Sequence, residues 1–217
     1  CADNGGCPFE RTRGRNLKPW DPKSYWTYDA SWAQASNTPF RLYKQNQHEG
    51  GISSPLIVHW PEGLKIKPGS ITRQPGHLID FMATFIELSG AKYPKQVGNR
   101  TIEPLEGKSL VPIFEGKERD GHENLYFHFG TDRALRQGNW KLVSAKGGKW
   151  ELYDLEKDRT ELNDLSAKYS ERVKKMSELW FDIAKNKDRL GKKGLSPVKS
   201  TLKKISFRKD TSGQLKE

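Results

Sequence analysis

The chain has 217 residues and a formal net charge of +11, with 34% hydrophobic and 30% charged residues. Seven Trp, seven Tyr and nine Phe supply enough apolar surface for a core, so the composition is not that of a disordered chain. No run approaches the roughly eighteen consecutive apolar residues of a membrane helix, which excludes such a span by composition.

The first residue is Cys rather than Met. This start suits a fragment, a processed product or a cut through a domain. Cys1-Ala2-Asp3-Asn4-Gly5-Gly6 reads as a strand end running into a glycine turn. A Cys1–Cys7 disulfide is possible and would close a very short loop, but pairing is not readable from sequence, and two cysteines do not decide the compartment. Residues 1–54 read as mostly loop. Trp20, Tyr25, Trp26, Tyr28, Trp32, Phe40 and Tyr43 follow neither the strand nor the helix period. Such a stretch either packs over a core or lines a binding cleft.

Pro55-Leu56-Ile57-Val58-His59-Trp60-Pro61 is a short apolar run closed by prolines and is expected to be a buried strand. From His77 to Leu88, apolar Leu78, Phe81, Met82, Phe85 and Ile86 suggest a buried helix that Gly90 stops. Tyr93 to Asp120 is expected to be irregular, with a short helical turn near Leu110 to Phe114.

The pattern then changes. Asn124 to Gly130, Asp132 to Gln137, Trp140 to Ala145 and Trp150 to Leu155 are short runs of β-formers, with turn signals at Gly138-Asn139 and Gly147-Gly148. They predict a small antiparallel meander. Ser170 is placed to cap a following helix, with Glu171 in its first turn. Val173, Met176, Trp180 and Ile183 mark the face that would lie on the sheet. The segment Gly191 to Glu217 holds eight Lys/Arg against Asp210 and Glu217, so it carries more than half of the excess charge. It reads as a solvated tail or as a contact for a polyanion. With Phe207 as its one aromatic residue, single-stranded nucleic acid is not expected.

Asp3-Asn4-Gly5 puts a carboxylate beside an amide, oxygen donors that suit a hard cation such as calcium, although the same residues make an ordinary turn. Lys44 lies five residues before Glu49-Gly50-Gly51, and Pro55, the apolar run and Trp60-Pro61 follow. In this order and spacing the chain resembles the sulfatase (arylsulfatase) family of the alkaline-phosphatase-like superfamily. The likeness continues through Pro75 to Thr84, Leu105 to Leu110, Arg133 to Arg136, Trp140 to Leu142 and Glu151 to Leu155. It covers roughly Cys1 to Leu190.

The resemblance implies an α/β fold, specifically the C-terminal part of an alkaline-phosphatase-like sulfatase with a small antiparallel sheet plus helix. Residues 1–120 would be an incomplete portion of the catalytic domain, 121–190 the small subdomain and 191–217 a basic tail. It further implies that Asp3 and Asn4 are calcium ligands and that Lys44 is catalytic, contacting sulfate oxygens. Arg41 and His48 would be within reach of substrate. Glu49 would shape the turn, and Trp26, Tyr28 and Trp32 would line the substrate mouth.

The sequence also departs from the family. The nucleophile there is a formylglycine made from Cys or Ser in Cys/Ser-x-Pro-x-Arg. In Cys7-Pro8-Phe9-Glu10-Arg11 the proline comes one place early and the motif lies on the wrong side of Asp3-Asn4. The paired acidic ligands expected near a sulfatase start are absent, and Ser53 stands where the family often has Arg. The expected function is therefore the C-terminal portion of a sulfatase whose formylglycine and remaining calcium ligands come from an N-terminal half. The isolated chain is expected to be inactive. The substrate would be a sulfated small molecule or polysaccharide, with no nucleic acid or membrane partner, in a periplasmic or secreted parent. A phosphodiesterase or phosphonate monoester hydrolase of the same superfamily, or a polyanion-binding module, are the alternatives.

Overall fold

The computed structural model describes residues 1–9, 17–18, 20–24 and 29–188. Trp26, Tyr28 and the basic segment 191–217 lie outside these residues, as do Glu10 and Arg11.

Four strands, β3 (Leu125–Phe129), β4 (Asp132–Gln137), β5 (Trp140–Ser144) and β6 (Glu151–Asp154), form an antiparallel meander in chain order. They follow a two-residue ladder of β1 (Gln96–Val97) and β2 (Arg100–Thr101). The positive φ of Gly130 and Gly138 closes the two tight hairpins. Register places Leu135 opposite Leu142, and Leu142 opposite Leu152, on one sheet face. Helix α5 (Ser170–Asn186) covers that face with Met176, Trp180 and Ala184, all buried. Val173 and Ile183 flank them, as the helical period predicts.

Ser170 does not cap α5. It is the first helical residue, and the cap position falls to Tyr169, which makes no side-chain cap bond. The turn starts one residue early because the Tyr169 carbonyl already accepts from the Arg172 and Val173 amides.

The other face of the sheet is mixed. Ala134, Val143 and Tyr153 are buried there, and so is Lys141, which pairs with Tyr153 across the ladder. Against this face lie residues 41–52, including the short helix α2 (Glu49–Ile52), with α1 (Asp29–Asn37) beside them.

Two expectations are corrected. Residues 55–61 form no strand among the described residues, and Ile57 is 85% exposed. An apolar run becomes a strand only where another chain segment accepts and donates its backbone hydrogen bonds. Helix α3 (Asp80–Ser89) does form, and Gly90 ends it at φ 66. Its buried face, however, is the polar one, Asp80 and Thr84, while Met82 and Phe85 are exposed. Asp80 explains this reversal. Its carboxylate takes the His77 and Lys108 amides, Arg119 at 2.9 Å and His122 at 2.6 Å. Thr84 meanwhile accepts the Leu110 amide at the start of α4 (Val111–Phe114). No helix of the described residues is long and apolar enough to cross a membrane.

Candidate functional site

Two segments some forty residues apart in the chain meet through their backbones. The Gly5 amide donates to the Gly51 carbonyl at 3.1 Å, and the Lys44 amide donates to the Gly6 carbonyl at 3.1 Å. Asn37 fastens the crossing: its side-chain oxygen accepts the Gly6 amide, while its amide nitrogen donates to the carbonyls of Leu42 and Gly50. The chains approach so closely that a Cβ on Gly5 would lie 1.8 Å from the Gly50 oxygen. A Cβ on Gly51 would lie 2.0 Å from the Asn46 oxygen. The glycines are thus required by steric contact with backbone, which cannot yield as a side chain can.

Lys44 sits in this crossing between two residues with left-handed backbone, Leu42 at φ 64 and Gln45 at φ 77. For non-glycine residues this conformation costs of order 1–3 kcal/mol each and persists only where surrounding contacts over-determine it. Among the described residues, the side chains of Asp3, Asn4 and Lys44 make no hydrogen bond or ion pair with protein groups. Asp3 is exposed, and Asn4 and Lys44 are half-buried.

The polar groups next to them are committed to the sheet. Lys141 is fully buried, with Nζ 2.7 Å from Glu49 Oε1 and 2.8 Å from Glu161 Oε1. The second oxygen of Glu161 accepts the Glu49 amide at 2.8 Å. Burial alone would push the Glu49 carboxyl up, but Lys141, with smaller help from Arg136 and Ser53, holds the group below the usual carboxylate range. Glu151 is likewise held low against the pull of burial, by Tyr153, His48 and Arg41. Burial, and then Glu151, push the Tyr153 hydroxyl up.

Arg41 and His48, expected to reach substrate, are turned to this face. Arg41 Nη1 donates to the Tyr153 hydroxyl at 2.8 Å and the Glu161 carbonyl at 2.7 Å, and pairs with Glu151 at 3.3 Å. His48 is 1% exposed, with Nε2 3.1 Å from Glu151 Oε2. Glu49 opens α2, but its carboxylate is an ion-pair partner. Trp32 is exposed, and Cys1 and Cys7 are free thiols. Among the described residues no group of three or more His, Cys, Asp or Glu gathers as a metal centre.

Sequence reasoning missed Lys141 and Glu161. The available signal was alternation in the meander: Lys141 and Val143 share a face with Tyr153, so a lysine had to sit among apolar neighbours.

Residues 40–187 match the family model for the N-sulphoglucosamine sulphohydrolase C-terminal region. The chain belongs to this sulfatase family. It is similar to a sulfatase of Formosa agariphila, 38% identical over 97 residues, covering 43% of this chain and 16% of that protein. It is also similar to the steryl-sulfatase of Mus musculus, 34% identical over 110 residues, covering 51% of this chain and 16% of that protein. The chain thus spans about a sixth of these two relatives. Among solved structures, BT4656 in complex with its substrate D-glucosamine-2-N,6-O-disulfate superposes with a TM-score of 0.52 at 21% identity, covering 77% of this chain and 33% of that one. The superposition shows the fold: the meander, α5 and the segments before them are the C-terminal part of a sulfatase α/β structure.

Proposed function

We propose that this sulfatase C-terminal region carries one wall of a sulfate-ester hydrolysis site, built from Asp3, Asn4 and Lys44. The observation that carries the reading is the pair of backbone hydrogen bonds, Gly5 to Gly51 and Lys44 to Gly6, which hold the Asp3-Asn4 turn beside the lysine. All three side chains are uncommitted to protein partners among the described residues, whereas their polar neighbours Arg41, His48 and Glu49 are consumed by the sheet.

Lys44 binds the sulfate group through its ammonium. There it stabilises negative charge developing on the ester's leaving oxygen, an effect strengthened by its partly desolvated position. Asp3 and Asn4 offer two adjacent hard oxygen donors, which fits part of a calcium shell of about six to eight oxygens. Calcium bound there would neutralise sulfate charge and fix its orientation. The remaining ligands and the formylglycine nucleophile belong to a longer protein, of which residues 1–120 form part of the catalytic domain and 121–190 the small subdomain. A sulfated sugar is the substrate class favoured here, because BT4656 takes one.

The test is steady-state kinetics of the complete enzyme carrying this segment, on an aryl sulfate and a sulfated glucosamine, with Lys44→Ala and Asp3→Ala variants. Lys44→Ala lowers kcat by about a hundredfold or more with an unchanged unfolding midpoint. Asp3→Ala raises the calcium concentration needed for half-maximal activity. Unchanged kinetics in Lys44→Ala, or preference for a phosphonate monoester over the sulfates, would overturn the reading.

A further inference from the structure

Resting on the role given to Lys44 above, we propose that Lys141 and Glu161 are positioning residues for that lysine, acting through Glu49. The path is continuous. Lys141 rises from β5 and pairs with Glu49 at 2.7 Å. Glu161 lies 2.8 Å from Lys141 and accepts the Glu49 amide at 2.8 Å, so the first residue of α2 is held at its backbone by Glu161 and at its side chain by Lys141. The next two residues, Gly50 and Gly51, are the surface on which the Lys44 loop rests: the Gly50 amide donates to the Arg41 carbonyl, and Gly51 abuts the carbonyls of Tyr43 and Asn46. A displacement of Glu49 therefore moves the floor beneath Lys44. It also releases Leu42 and Gln45, the left-handed residues on either side of it.

Two further features separate this assembly from an ordinary stabilising ion pair. Lys141 and Glu161 are 0% exposed, and desolvating three ionic groups brings little net stability, so their arrangement is better suited to geometry than to strength. Glu161 itself has φ 56, and its carbonyl accepts from Arg41, three residues before Lys44. The small sheet thus fixes the loop at Arg41 and again at Glu49, on both sides of Lys44. In this reading Lys141 of β5 and Glu161, which follows β6, act on catalysis through the placing of Lys44.

A double-mutant cycle on the complete enzyme separates positioning from stability. Glu161→Gln, close in shape, and Lys141→Arg, which keeps the charge but needs more room, are each combined with Lys44→Ala. Each change alone lowers kcat by about a hundredfold with a smaller effect on KM, as expected for a catalytic group displaced by an ångström or so. In the Lys44→Ala background each costs about twofold or less, because the residue being positioned is gone. Either variant suffices if the other does not fold. Equal losses in both backgrounds would overturn the inference and leave the reading of Lys44 intact. A Lys44→Ala enzyme of normal kcat would remove that reading, and this inference with it.

Discussion

Lys141 Nζ lies 2.7 Å from Glu49 Oε1, joining residues 92 positions apart in the chain, and both are buried. The contact ties the β-meander to the segment that holds Lys44, and its removal is the most direct probe of that tie. Lys141→Met leaves two carboxylates buried without a counter-charge. A loss of about 3–5 kcal/mol of unfolding free energy is expected, measured by denaturant titration of this chain. A loss below about 1 kcal/mol would show that the pair is open to water.

Acid should weaken the same region. Glu49, Glu151 and Asp80 all have folded-state pKa values below the ordinary carboxylate range. Their stabilisation is fully present above the unfolded-state pKa and is lost as pH falls through the folded values. The urea midpoint is expected to be level near neutrality and to fall below about pH 5. Asp80→Asn, which removes the carboxylate facing Arg119 and His122, should flatten that decline while lowering the midpoint at pH 7.

The glycines at the crossing should differ from those in the hairpins. A Cβ on Gly50 would meet the Leu42 and Arg41 oxygens at 2.2 and 2.3 Å, whereas one on Gly130 would meet nothing within 4 Å. Gly130→Ala carries only the left-handed backbone cost of about 1–2 kcal/mol. Gly50→Ala forces backbone apart and is expected to cost about 3 kcal/mol or more. Thermal melts of the two variants should rank them in that order, and the reverse order would mean the crossing can relax.

Trp180, on the sheet-facing side of α5, is the largest fully buried side chain among the described residues. It stacks on Tyr126 with ring centroids 5.2 Å apart and donates its indole N–H to the Phe127 carbonyl. Arg133 lies over the same ring. Trp180→Ala should cost about 3–5 kcal/mol and collapse the near-ultraviolet circular dichroism signal. A variant that keeps both its melting temperature and that signal would place the core elsewhere.

The C-terminal half was legible from pattern. The four β-rich runs became β3 to β6 within a residue or two, and Met176 and Trp180 lie where the 3.6 period put them. The N-terminal half was less so. Asp29–Asn37 lies in the stretch expected to be loop yet forms α1, whose Asn37 and Gln34 bind the glycine crossing and Leu42, contacts distant enough in the chain that no local period marks them. The apolar residues of α3 and of 55–60 pointed to burial, but 55–60 are exposed and α3 buries its polar face, centred on Asp80.

For the site, the order Asp3-Asn4, Lys44, Glu49-Gly50-Gly51 was enough by itself to indicate the sulfatase family and the residues to watch. Motifs are local, and their spacing survives in the linear chain. The tertiary structure decided which of those side chains remain uncommitted among the described residues. Arg41, His48 and Glu49 are taken by Glu151, Tyr153, Lys141 and Glu161, partners more than 90 positions away. Such pairings depend on sheet register and on backbones meeting at glycine distance, neither of which any local pattern of residues specifies.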